Sequence, residues 1–285
     1  HYYGQDSSVL FLLASVFIIL GLMFKTGCVP FQRWVPDVYQ GSPYPVAAYL
    51  SVVPKLAAFG ILARIIGNFL TEMPLLQIVI SFIALLTVAF GLLGAIKQTD
   101  IKRFLGYSSI AHCGFMLLAL SIFSVFGVAA FIYYAVVYLF MNFGAWAAGI
   151  TFVACVGSDN IKDYQGIFYV RPYYTTAFVI CLIALAGLPP TAGFLAKIFL
   201  FSSLTRMDLS GLPVVVIAII LTIYGVFAYM NLIRTLFEKT RIPTIMTSPQ
   251  MNTKVVLYFC TIMTIITCFF ANQVVWCSMF AALGI

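Results

Sequence analysis

Three lysines lie inside long apolar stretches of the sequence, where a charged side chain is costly. Lys55 stands at the midpoint of residues 44–66, and Lys25 and Lys197 lie in two other apolar stretches. A lysine at the centre of a membrane helix costs roughly 2.5–3.5 kcal/mol, and burial disfavours the charged form of an amine. Lysines so placed can take up and release protons, and they therefore indicate proton transfer. The alternative is a lysine that reaches the headgroups or forms a structural pair.

His112 is a fourth candidate for proton transfer. It lies about one helical turn inside the apolar stretch that begins at residue 106, and Tyr107, Ser108 and Ser109 precede it. Histidine titrates near neutral pH and can shuttle protons, and the neighbouring hydroxyls could support a hydrogen-bonded water chain. The alternative is a histidine whose nitrogens are simply satisfied by a hydroxyl or a carbonyl group.

The acidic residues lie at the ends of the apolar stretches or between them. They are Asp6, Asp37, Glu72, Asp100, Asp159, Asp163, Asp208 and Glu238. Lys25 and Lys55 therefore have no evident buried counter-charge in this chain. Either these lysines are often neutral, or a partner carboxylate comes from another polypeptide.

The composition is that of a polytopic membrane protein. Of the 285 residues, 63% are hydrophobic and 8% are charged, with a mean hydropathy of +1.09, whereas soluble domains carry about 25% charged residues.

The formal charge of +7 does not indicate a nucleic-acid partner, because no basic cluster with stacking aromatics stands outside the apolar stretches. The cysteines form no CxxC pair and are expected to be buried apolar side chains, not a metal site or a disulfide framework. Aromatic runs such as residues 131–134 are expected to pack or to face lipid.

We predict an all-α membrane fold, one transmembrane domain with about eight spans. The spans are residues 8–40, 44–66, 74–95, 106–123, 128–155, 173–205, 212–233 and 254–281. One crossing needs about 20 residues, and the first and sixth spans are much longer. The first contains Pro30 and the sixth contains Pro189 and Pro190, which remove helical hydrogen bonds. We therefore predict two broken helices, whose unwound backbone is buried in protein or lines a hydrated passage.

The basic residues predict the orientation of these spans. Nine of the 15 lysines and arginines lie in three connections or at their flanks, and only Arg64 and Arg206 lie near a membrane end on the other side. The three connections are residues 96–105, 156–172 and 234–253. The positive-inside rule assigns them to the cytoplasm or matrix, with both termini on the opposite side.

Four groups of residues form a recognisable set of motifs. They are Phe24-Lys25, Val29-Pro30-Phe31, Trp34, Pro36-Asp37-Val38-Tyr39 and Gly41; Leu50-Ser51 and Pro54-Lys55; Asp100-Ile101-Lys102-Arg103 and Tyr107-Ser108-Ser109-Ile110; and Gly187-Leu188-Pro189-Pro190, Gly193-Phe194 and Lys197. This set resembles subunit 2 (bacterial subunit N) of respiratory complex I. The Asp-Val-Tyr form resembles that subunit more than its antiporter-like sister subunits.

The resemblance implies a proton-translocating membrane subunit of NADH:ubiquinone oxidoreductase, without a redox active site of its own. Such subunits contain two inverted repeats, each with one broken helix. On that pattern residues 8–66 end the first repeat, 74–233 form the second and 254–281 form a final helix. Lys25 would pair with an upstream glutamate, and Lys55 and Lys197 would continue a polar axis along the membrane midplane. Gln32 departs from the family, which has a histidine there, and it cannot titrate.

The resemblance also implies partners and a location. The helices that precede the match in full-length relatives, including the one with the glutamate, are expected on a separate chain. Other complex I membrane subunits, neighbouring antiporter-like subunits among them, and lipids are the expected partners. The sequence shows no Rossmann glycine fingerprint, P-loop, haem CxxCH or iron–sulfur cysteine run, so the chain itself is expected to bind no cofactor, with NADH, FMN, iron–sulfur clusters and ubiquinone on other subunits. The mitochondrial inner membrane is the favoured location, and a bacterial plasma membrane is the alternative.

A standalone cation/proton antiporter and a purely structural membrane module are the alternative functions.

Overall fold

The computed structural model describes residues 4–69, 74–122, 124–205, 211–239 and 250–282. Arg206, Asp208, Arg241 and Glu72 lie outside these ranges. The described residues form twelve α-helices and a 3₁₀ helix at Ile161–Tyr164. The α-helices are α1 Gly4–Thr26, α2 Trp34–Gly41, α3 Tyr44–Phe69, α4 Pro74–Ile96, α5 Ile101–Leu120, α6 Val125–Val156, α7 Ile167–Val170, α8 Pro172–Ala186, α9 Ala192–Leu204, α10 Gly211–Phe237, α11 Met251–Phe269 and α12 Ala271–Ala282.

Six of these helices are long and apolar enough to cross a membrane, counted over the described ranges. They are α3, α4, α5, α6, α10 and α11. Each of the two long spans is divided between two helices, α1 and α2 in the first and α8 and α9 in the sixth. Of these, Val16–Thr26 of α1, α8 and α9 are shorter apolar helices. The predicted all-α polytopic fold with two broken helices is confirmed.

The first break begins where α1 ends. Gly27 has a φ of 75°, and the amides of Gly27 and Cys28 both donate to the carbonyl oxygen of Met23, at 3.0 and 3.1 Å. This left-handed glycine ends the helix and satisfies its last carbonyl groups. Pro30 lies in the unwound segment, and α2 begins four residues after it.

The second break repeats this arrangement. Gly187 follows α8 with a φ of 78°, and the amide of Leu188 donates to the carbonyl oxygen of Ile183 at 3.2 Å. In each break a proline follows the left-handed glycine by three residues, Pro190 here and Pro30 in the first break. Thr191 then caps the start of α9 with its hydroxyl group.

The final span differs from the single helix that we predicted over 254–281. The structure divides it into α11 and α12 at Phe270, and α12 packs against α6. Neither glycine nor proline stands at this division, so the sequence carries no local signal for it.

The centre of the bundle is α5, which is buried along nearly its whole length. It packs most extensively against α4, and glycines allow the two backbones to approach closely. A Cβ atom on Gly91 would lie 2.4 Å from the amide nitrogen of Ala111, and one on Gly114 would lie 2.7 Å from that of Val88. Small residues at such contacts are typical of packed membrane helices.

Polar contacts join several connections at one end of the bundle. Asp159 pairs with Lys102 at 3.4 Å and accepts a hydrogen bond from Tyr44 at 2.6 Å. Gln40 donates to Asp100 at 3.0 Å. We call this end the loop face; it comprises the connections at residues 42–43, 97–100 and 157–166. The positive-inside rule places the second and third of these connections on one side of the membrane, and the contacts agree with that grouping.

Candidate functional site

Lys55 is fully buried where α2, α3 and α5 meet. Its ammonium group donates to the hydroxyl oxygen of Ser109 at 2.9 Å and lies 5.5 Å from the centre of the Tyr39 ring. The Ser109 hydroxyl group itself donates a hydrogen bond to the carbonyl oxygen of Gly106 at 2.8 Å. The partners of this lysine are therefore neutral.

A second polar cluster lies one turn before Lys55. The amide nitrogen of Asn142 donates to the Ser51 hydroxyl at 3.0 Å and to the Tyr138 hydroxyl at 2.9 Å. Tyr138 in turn donates to the carbonyl oxygen of Ser51 at 3.0 Å. All three side chains are buried, and they join α3 to α6 beside the lysine.

His112 lies between two tyrosines. Its Nδ1 is 2.7 Å from the Tyr134 hydroxyl, and its Nε2 is 3.4 Å from the Tyr229 hydroxyl. The Tyr229 hydroxyl is also 2.6 Å from that of Ser108. In a neutral imidazole one ring nitrogen donates and the other accepts, so the two tyrosines can serve as opposite ends of a proton path.

Lys197 occupies a site that the second break creates. Its ammonium group donates to the carbonyl oxygens of Ala186 at 2.7 Å and Leu185 at 3.3 Å. These carbonyl groups end α8 and lack helical partners, and a helix C-terminus favours a cation. The ammonium also lies 4.9 Å from the centre of the Phe115 ring. Gly187 is favoured here because its φ of 78° is unfavourable for residues with a Cβ atom, and a Cβ atom would also displace the lysine nitrogen, from which it would lie 2.8 Å.

Lys25 is not part of this buried group. It lies exposed at the end of α1, whereas Lys55, His112 and Lys197 lie inside the bundle. Among the residues whose burial is described, the buried set contains no aspartate or glutamate. Gln32, which stands where the family has a histidine, is buried, and its Oε1 has no hydrogen-bond partner among the described residues.

The tyrosines around His112 were not predicted from the sequence. Tyr134 belongs to an aromatic run that we interpreted as packing or lipid contact, and Tyr229 is 117 residues from His112 in the chain. The available signal was chemical: a tyrosine hydroxyl buried in a membrane helix needs a hydrogen-bond partner. The sequence alone does not say which partner that is.

Comparison with known proteins reveals close relatives among respiratory membrane subunits. Subunit N of the NADH-quinone oxidoreductase from Moorella thermoacetica is 41% identical over 235 residues, which are 82% of this chain and 49% of that protein. Subunit 2 of the NAD(P)H-quinone oxidoreductase from Synechocystis is 38% identical over 231 residues, 80% of this chain and 43% of that protein. The predicted resemblance is confirmed, and the chain spans about half the length of these relatives.

Solved structures share the fold. A chain of respiratory complex I from Thermus thermophilus superimposes with a TM-score of 0.77 and 28% identity, over 92% of this chain and 58% of that chain. The Mrp complex from Dietzia gives a TM-score of 0.85 at 18% identity, over 98% of this chain and 60% of that chain, which shows the fold alone. The sequence profile of the family described as NADH:quinone oxidoreductase/Mrp antiporter, TM, matches residues 3–225. The chain therefore belongs to this family of antiporter-like membrane proteins.

Proposed function

We propose that the chain is a proton-translocating membrane subunit of NADH:ubiquinone oxidoreductase, and that protons pass through Lys55, His112 and Lys197. The observation that carries this proposal is the burial of two lysines among neutral partners only. A structural lysine in a membrane helix gains most from a paired carboxylate or a route to the headgroups, and neither accompanies these two in the described bundle. Their burial is better explained by a need to change protonation state.

Charge on one of these groups influences the others. Lys55 contacts α5 at Ser109 and Lys197 contacts it at Phe115, and each of these positions is about one helical turn from His112. Like charges about one helix diameter apart interact by about 1–2 kcal/mol at an effective dielectric constant near 20. This energy changes a neighbour's proton affinity about tenfold. A proton that arrives at one group therefore favours release from the next, which is what a relay requires.

His112 is suited to join the two lysines. Each ring nitrogen faces a tyrosine hydroxyl, at 2.7 Å for Tyr134 and 3.4 Å for Tyr229. The imidazole can accept a proton at one nitrogen and release one at the other. Both hydroxyls are buried, so direct proton exchange with bulk water does not compete with transfer through the imidazole.

We further propose that Lys25 belongs to the same path and that other helices cover it. Lys25 is exposed at the end of an apolar helix on which Phe17 and Phe24 are 71% and 55% exposed. An exposed ammonium group beside exposed phenylalanines suits a protein interface better than lipid. We propose that further membrane helices pack on this face and bring a carboxylate to Lys25, and that other complex I membrane subunits pack nearby.

This interface can be tested by photo-crosslinking in the membrane. A photoreactive residue in place of Phe17 should capture a membrane protein of the complex, whereas the same residue in place of Phe227, which is 65% exposed on α10, serves as a comparison site. Capture of lipid alone at both positions would contradict the proposed interface.

The proposal places the redox chemistry elsewhere. NADH, FMN, the iron–sulfur clusters and ubiquinone would bind other subunits. Electron transfer there would change the protonation of Lys55, His112 and Lys197 in this chain through electrostatic interactions. We propose the mitochondrial inner membrane as the location, with the bacterial plasma membrane as the alternative that the bacterial relatives support.

Cation/proton exchange is a second candidate function, because the fold is shared with an Mrp complex. The two functions differ in their ion requirement. Proton uptake by the reconstituted complex should be independent of sodium if protons alone are moved. A requirement for sodium would favour exchange.

The main test is NADH-driven proton uptake by the assembled complex in lipid vesicles. Lys55→Ala should reduce the number of protons moved per NADH oxidised, because the buried amine is lost. Lys97→Ala removes an exposed lysine near the loop face and should leave this ratio unchanged. If Lys55→Ala pumps normally, the chain is a structural module and the proposal is wrong.

A further inference from the structure

A small cavity lies at the loop face, and neither Lys55 nor Lys197 lines it. Its volume is about 50 Å³, and its polar lining comes from Gln98, Asn231 and Thr235. A water molecule needs roughly 10–15 Å³ of such space, so the cavity has room for a few waters. Asn231 is exposed, which gives the cavity access to the outside. We call this cavity the vestibule.

The inner wall of the vestibule is apolar. Phe104, Ala228 and Leu232 line it, and all three are buried. The ring of Phe104 meets the ring of Tyr229 edge to face at 5.5 Å. Tyr229 directly follows Ala228 in α10, so its side chain lies immediately beyond this wall.

A chain of polar groups continues inward from that point. On α5, Phe104, Ser108 and His112 are spaced four residues apart and share one helix face. Ser108 and Tyr229 are 0% and 1% exposed, and their hydroxyl oxygens are 2.6 Å apart. Tyr229 then reaches Nε2 of His112 at 3.4 Å. Because one helical turn rises about 5.4 Å, a single apolar layer separates these hydrogen-bonded side chains from the vestibule.

We propose that Tyr229, paired with Ser108, is a proton-relay residue that connects the vestibule with His112. This inference rests on the proposed function and adds a route to the loop face. Tyr229 gives its hydroxyl proton to Nε2 of neutral His112 and takes a proton from Ser108, which takes one from a hydronium ion in the vestibule and leaves a neutral water molecule there. Each hydroxyl group ends neutral and then rotates, and the net result is the transfer of one proton. Phe104 and Leu232 form the barrier that water must cross for this transfer.

The direct test removes only the hydroxyl group. Tyr229→Phe keeps the ring that packs on Phe104, and in the assembled complex in vesicles it should lower the rate of NADH-driven proton uptake at least about tenfold, because a positioned proton-transfer group typically contributes about 10²–10⁴-fold. Ser108→Ala should lower it as well. Tyr224→Phe is the matched control, because Tyr224 lies on the same helix but is 45% exposed. It should behave like the unmodified complex.

A solvent isotope effect separates a relay from a positioning role. The residual proton uptake of Tyr229→Phe should change its dependence on deuterium oxide and on pH at the loop face, since the transferring group has changed. An unaltered isotope effect and pH profile, with proton uptake and NADH oxidation reduced in equal proportion, would overturn the relay.

The outcomes also separate this inference from the proposed function. If Lys55→Ala abolishes pumping while Tyr229→Phe or Ser108→Ala pumps normally, the relay is wrong and the proposed function stands. If Lys55→Ala and Tyr229→Phe both pump normally, the proposed function itself is wrong. Should Tyr229→Phe fail to assemble, Ser108→Ala decides the matter, and normal pumping by that variant overturns the relay.

Discussion

The ammonium group of Lys197 donates to the carbonyl oxygen of Ala186, the last residue of α8, at 2.7 Å. The broken helix thus supplies the partner for a lysine that follows it by about two turns. A continuous helix would have used this carbonyl group internally. The break and the lysine are therefore one functional unit, and changes in either are expected to affect the other.

The first prediction concerns Gly187. Gly187→Ala should destabilise the complex by about 1–2 kcal/mol, because a left-handed conformation is unfavourable for residues with a Cβ atom. It should also disturb proton uptake, since that Cβ would lie 2.8 Å from the Lys197 nitrogen. The control is Gly60→Ala, where no atom lies within 4 Å of the added Cβ. Equal thermal stability of the two variants would contradict this account.

The second prediction separates charge from proton release at Lys197. Lys197→Arg keeps a cation beside Ala186, but arginine stays protonated. We therefore expect proton uptake per NADH oxidised to fall about as far as in Lys197→Met. Lys162→Arg, at an exposed position, should have no effect. Normal pumping by Lys197→Arg would show that the charge is needed but its release is not.

The third prediction uses two neighbouring tyrosines on α6. Tyr134→Phe removes the partner of Nδ1 in His112 and should lower proton uptake, with a stability cost of about 1–3 kcal/mol for the unpaired nitrogen. Tyr133→Phe removes a buried hydroxyl for which the described part of the chain provides no hydrogen-bond partner, so it should be neutral or stabilising. If the two variants behave alike in thermal unfolding and in proton uptake, the Tyr134 contact carries no function.

The fourth prediction concerns the start of α5. Asp100 caps this helix by accepting from the amides of Lys102 and Arg103 at 2.8 and 3.0 Å. Asp100→Ala should cost about 0.5–2 kcal/mol, measured as a lower unfolding temperature of the complex. Asp100→Asn retains a capping oxygen and should cost less. An equal loss in both variants would indicate that the carboxylate charge, not the cap, is what stabilises this end.

The sequence predicted the fold and part of the site. Prolines inside over-long apolar stretches indicated both breaks, and the midpoint position of Lys55 indicated its burial. The exposure of Lys25 within the chain was not predicted, because hydropathy does not say which face of a helix meets other helices. The partners of His112 come from α6 and α10, and contacts at such sequence separation leave no local pattern. The division at Phe270 has no glycine or proline to mark it.

The central claim is that the buried lysines and His112 are joined by a hydrated proton path. A high-resolution map of the assembled complex in lipid tests this most directly, because it shows both the amino groups and the ordered waters. We predict that the amino groups of Lys55 and Lys197 remain inside the bundle, with waters linking them through His112. A dry core between these groups, or amino groups turned towards the headgroups, would contradict the account.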